Sequence, residues 1–163
     1  MLSSPAIASL TAVIGVATTQ ATQLLATLEA EQQALLSEDY DHLEVLMGQK
    51  VCISQALDTA EQQRRDILQQ AEEDTDSHAM QVLFAAHPRH GALQALARDW
   101  DTLLACLRKA ADQNRLNGIL LEKQRQHVKR ALNILFEQSP NQAVYDASGG
   151  TAPPQYSRSV GVA

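Results

Sequence analysis

Asp39 and His42 stand three residues apart, a spacing that puts a carboxylate and an imidazole on one face of a helical turn. A helical bundle that holds a di-iron centre needs Glu-x-x-His twice and two further glutamates. No second copy of the pair occurs, so no metal ligand is assigned. His87 and His90 bracket Pro88 and read as loop residues. Cys52 and Cys106 lie far apart in apolar contexts without CxxC or Cys/His ligand spacing, and read as reduced, semi-buried small hydrophobes. The chain carries no G-x-S-x-G, Walker loop or dinucleotide fingerprint. Catalysis needs convergent polar groups, and none converge here. No catalytic residue and no cofactor are expected, and the chain reads as a non-enzyme.

Two polar features remain. Asn114 and Asn117 interrupt an otherwise apolar stripe in "NRLNGIL". They read either as a buried amide layer that sets helix register at a cost in stability, or as groups that contact a partner helix. The stretch from Val144 to Ala163 holds three of the seven glycines, a Pro-Pro pair, and both Tyr145 and Tyr156. Such a composition cannot bury enough surface to fold alone. It reads as a disordered tail that keeps large aromatic rings.

The elements that must position these residues are helices. Ala, Leu and Gln dominate the 163 residues, and aromatics make up 4%. Steps of three and four link Ile7, Leu10, Ile14, Ala17, Ala21, Leu24 and Leu28, which predicts a first helix from about Pro5 to Leu36. Ser37 or Asp39 can cap a second helix. Its stripe runs Leu43, Leu46, Lys50, Ile53, Leu57, Ala60, Arg64, Ile67, and the acidic run Glu72–Asp76 ends it. Lys50 and Arg64 fall inside that seam, where they either snorkel outwards or set register. A short apolar helical turn follows, capped by Ser77 and stopped near "HPRHG". The longest stripe runs from Leu93 through Leu96, Trp100, Leu103, Leu107, Ala110, Asn114, Asn117 and Leu121 to Val128 and Leu135. Pro88 can sit in the first turn of that last long helix, and Pro140 marks its end. The expected fold is all-α, an elongated antiparallel hairpin with a longer helix packed along it. The helical domain covers 1–138 and a flexible tail covers 139–163.

Length points to a surface. At 1.5 Å per residue the three long helices would span roughly 48, 52 and 73 Å, so the last ~15 residues of the longest lack cover. Those residues, about Lys123 to Glu137, are apolar over a wide arc. Leu116, Leu120, Ala131 and Ile134 flank the seam on one side, with Leu132 and Phe136 across it. Such an edge invites another chain. The alternatives are that the short helical turn or a second copy covers it. Candidate partner-binding residues are therefore Asn114, Asn117, Leu116, Leu120, Val128, Leu132, Leu135 and Phe136.

Charge narrows the partners. Residues 1–105 carry 15 acids and 5 bases, and residues 106–163 carry 4 acids and 8 bases, for a total of −6. A net acidic chain whose basic stretch lacks interleaved aromatics is not expected to bind nucleic acid. No charge precedes Glu29, but Ser, Thr and Gln interrupt that stretch and no basic region leads it. Stable membrane insertion is not expected.

Taken in order, "LLATLEAEQQALLSEDYDHLEVLMGQKVCISQAL", Trp100, "NRLNGIL" and Tyr145 followed by a glycine-containing stretch resemble the FlgN-type flagellar export chaperones. That resemblance implies a cytoplasmic chaperone of the flagellar type III export pathway. It would bind the C-terminal helical segments of the hook–filament junction proteins FlgK and FlgL, prevent early assembly, and deliver them to the export gate. The family's tail tyrosine is linked to docking on the gate component FlhA, and Tyr145 corresponds by position. A passive coiled-coil scaffold or tether stays as the alternative, and would form a stable homo-oligomer. A four-helix metal or regulatory bundle would need convergent carboxylates.

Overall fold

The computed structural model of the chain describes residues 2–137 apart from 72 and 77. The expected tail at 139–163, with Tyr145, lies outside the described residues. Four helices are present: α1 (Ser4–Ser37), α2 (Tyr40–Gln70), α3 (Ala79–Ala86) and α4 (Gly91–Glu137). The fold is all-α. Packing divides the chain into residues 1–122 and residues 123–163, with the division falling inside α4.

Local chemistry explains the helix ends. Ser3 caps α1 by accepting the Ala6 N–H, and Pro5 sits in the first turn, where a missing N–H costs nothing. At the other end Glu38 adopts a left-handed conformation (φ 58°). Its N–H donates to the Leu35 carbonyl and the Asp39 N–H donates to that of Ala34. This is the double hydrogen bond that usually employs glycine. Of the two cap candidates for α2, Asp39 fills the role, its Oδ1 accepting the His42 N–H at 3.0 Å. The Asp39–His42 spacing is thus a capping signature. Ser37 instead bonds back to the Gln33 and Ala34 carbonyls.

Contacts fix the directions within residues 1–122. Glu31 meets Lys50, while Val13 and Ala17 share a cavity wall with Leu57 and Ala60, so α1 and α2 are antiparallel. Thr22 approaches Cys106 and Leu28 meets Asn117, so α4 runs parallel to α1. The seam residues Ile7, Leu10, Ile14, Ala17, Ala21 and Leu28 are buried as the spacing predicts. Leu10, Ile14, Leu28, Leu68, Met80 and Leu96 are sealed from solvent, each contributing roughly 1.5–3 kcal/mol by burial. On α2 the seam ends on Leu68, with Ile67 only half-buried.

Three expectations need correction. The start of the last long helix lies at Gly91, so Pro88 stays in the preceding turn. At this start His90 Nδ1 accepts the Leu93 N–H at 3.4 Å, in the manner of a cap. The cap position of α3 holds His78, which makes no side-chain capping bond, and Ser77 lies outside the described residues. Cys52 is exposed, because it sits one residue off the Ile53 seam position, whereas Cys106 is half-buried. The uncharged outer face of α1 also gains an explanation. Thr11, Thr18, Thr19 and Thr22 each donate to the carbonyl four residues back, which satisfies their hydroxyls within the helix, as does the buried Thr27.

Candidate functional site

Along α4, burial follows a strict heptad. Leu96, Leu103, Ala110 and Asn117 are each less than 5% exposed, and no described residue beyond Asn117 is buried. The apolar residues do not stop there. Leu116, Ile119, Leu121, Val128, Leu132, Ile134, Leu135 and Phe136 are exposed, from 44% at Leu116 to 67% at Phe136. Leu120 is half-buried. Between them stand Lys123, Arg125, Lys129 and Arg130. The candidate residues Leu116, Val128, Leu132, Leu135 and Phe136 therefore present apolar area to solvent.

The two asparagines occupy different positions. Asn117 is buried, and its Nδ2 donates to the Leu28 carbonyl and to Glu31 Oε2, both at 2.7 Å. Its Oδ1 accepts from Gln113 Nε2 at 3.0 Å. Lys50 Nζ donates to both Glu31 oxygens, at 2.9 and 3.0 Å, and to Asn114 Oδ1 at 3.2 Å. Asn114 itself is exposed. Asn117 thus helps to lock α1, α2 and α4 at one register, while Asn114 remains at the rim. A cavity of about 240 Å³ opens beside this node, with Leu35, Leu43, Met47, Gly118 and Leu121 among its walls. Glu31 is among the residues of the family resemblance but has no predicted seam role, yet it occupies the next three-residue step after Leu28 and meets Lys50 of the facing seam.

A second polar node lies further along α2. Arg64 is 4% exposed, and its Nε and Nη2 donate to the two oxygens of Glu61 at 2.8 and 2.9 Å. Its guanidinium lies 5.7 Å from the centre of the Trp100 ring, a cation–π distance. Arg65 Nε also donates to Glu61, at 2.8 Å. The hydrogen bonds from Arg64, and secondarily from Arg65, hold the Glu61 carboxyl below its ordinary value despite partial burial. Arg64 Nη1 is buried without a hydrogen-bond partner among the described residues. Next to it, a cavity of about 380 Å³ is bounded by α1, α2 and α4.

Among the described residues, no helix is long and apolar enough to cross a membrane. None of their His, Cys, Asp and Glu side chains form a group of three or more that could hold a metal ion. No curated protein and no solved structure matches the chain. The family model described as FlgN protein matches residues 1–153. With nearly its whole length covered by that model, the chain belongs to the FlgN family of flagellar export chaperones.

Proposed function

We propose that this chaperone captures the C-terminal helical segments of the junction proteins FlgK and FlgL on the C-terminal part of α4, keeps them from assembling early, and hands them to the export gate. One observation carries the reading: α4 keeps its apolar rows after burial has ended, so Leu116, Val128, Leu132, Leu135 and Phe136 stay exposed. An amphipathic client helix can lay its own apolar face against these rows. Asn114 and Leu120 precede Val128 along α4, and Asn117 between them is buried. The cations between the rows suit clients that carry acidic flanks. No nucleotide is required, because the export machine can drive release. These steps would take place in the cytoplasm.

The gate-docking role falls to Tyr145 and its partner FlhA. A tyrosine offers a pocket both ring area and a hydroxyl. Calorimetric titration of a junction-protein C-terminal peptide tests the capture step. Aspartate at Leu132 or Phe136 should abolish binding with helicity unchanged, and undiminished affinity in both variants would refute the placement. A pull-down of the FlhA cytosolic domain with client-loaded chaperone tests docking. Tyr145→Ala should lose on the order of 1–3 kcal/mol of that interaction, and Tyr156→Ala less. Equal recovery of all forms would remove the tail from the account.

A further inference from the structure

The cavity between α1, α2 and α4 is an unfinished piece of core. Val13, Leu57, Trp100, Leu104 and Leu107 line it, and each is only half-buried. At about 380 Å³ it falls within the range of pockets that enclose a ligand, roughly 300–1,000 Å³. The polar members of its lining are Asp58, Glu61 and Arg64. Glu61 already balances Arg64, which leaves Asp58 to make the rim acidic. Residues 1–122 as a whole carry 17 acids and 8 bases. The occupant that fits is an apolar helix edge flanked by cations.

The chain itself contains such an edge. Between 123 and 137 there are four Lys and Arg and one Glu, set among Val128, Leu132, Leu135 and Phe136, all exposed. On a helical projection Phe136 lies about 40° from Leu132, and Lys129 about 60° from it on the same side. A cation therefore borders the apolar pair. We propose that in the client-free protein this α4 segment of a second copy occupies the cavity, with Leu132 and Phe136 against Leu104, Leu107 and Trp100 and with Lys129 near Asp58. Each copy has this cavity and this segment, so two copies that exchange segments use both. The contact joins unlike surfaces, whereas pairing of the two α4 ends with each other would join like ones. It covers apolar rows that would otherwise meet solvent, and salt weakens it because the charged rim is exposed.

Sedimentation equilibrium of the full chain tests the proposal without any client. The wild type should be dimeric at micromolar concentration, and Leu104→Arg and Phe136→Asp should each be monomeric with helicity retained. Asp58→Lys, a change at an exposed position, should raise the dimer dissociation constant at least threefold without touching the core. The mixture is decisive. Leu104→Arg keeps an intact segment and Phe136→Asp keeps an intact cavity, so together they should associate where neither does alone. Trp100 is the one tryptophan, so its emission should shift to the blue as the wild type or the mixture dimerises. A monomeric wild type, a dimer indifferent to both Asp58→Lys and Leu104→Arg, or a mixture that associates no more than its parts would overturn the proposal. None of these outcomes depends on the junction-protein reading; only displacement of the dimer by client peptide would rest on it.

Discussion

Between Leu93 and Ala110, α4 places its apolar heptad positions in the core, whereas between Leu116 and Phe136 it leaves apolar residues in water. Composition barely separates the two stretches, since leucine dominates both. What changes is the availability of facing side chains. The first stretch meets the seams of α1 and α2, and Asn117 closes that packing with its hydrogen bonds to Leu28 and Glu31. Past that residue, the apolar side chains of α4 are exposed instead of packed. A leucine on this helix is therefore packed or exposed according to its place along it, and substitution can separate the two.

The largest expected effect is on the packed stretch. Leu96→Ala, at a side chain sealed from solvent, should cost about 2–5 kcal/mol in urea unfolding, while Leu132→Ala should stay within about 0.5 kcal/mol. Comparable losses at both sites would erase the distinction. At the boundary, Asn117→Ala removes a donor from Glu31 and the Leu28 carbonyl, and should cost about 1–3 kcal/mol. Asn114→Ala, at the exposed rim, should cost clearly less by the same measurement.

Smaller effects sharpen the picture of residues 1–122. The Glu61 carboxyl is held below its ordinary value by Arg64 and Arg65, so its contribution is fully present above the unfolded-state value of about 4.3 and is lost as pH falls through the lower folded value. The melting temperature should drop across that acid window, and Glu61→Gln should flatten the drop. Glu38→Gly should be a small and favourable change, about 0.5–1 kcal/mol more stable in urea, because glycine takes a left-handed conformation without a side-chain penalty.

Much of this was legible in the sequence, for physical reasons that vary by element. The seams of α1 and α2 and the burial of Leu93, Leu96 and Leu103 follow from apolar periodicity, which records which face meets other helices. Lys50 and Arg64 were visible as misfits in a seam. Their partners were not, because Glu31 and Glu61 are defined by the packing of helices and by side-chain reach. His90 as a cap was hidden because an imidazole acceptor is rarer in that role than Ser, Thr, Asp or Asn. The half-filled space beside Trp100 has no sequence signal at all. It depends on how three helices with small residues such as Ala17 and Ala60 come together.

Amide hydrogen exchange on the chaperone, with and without a junction-protein C-terminal peptide, tests the central claim most directly, since it reads both stretches of α4 in one experiment. Added peptide should slow exchange across residues 116–136 and leave 93–110, already protected by packing, nearly unchanged. Slowing confined to α1 and α2, with 116–136 exchanging as fast as before, would contradict that claim.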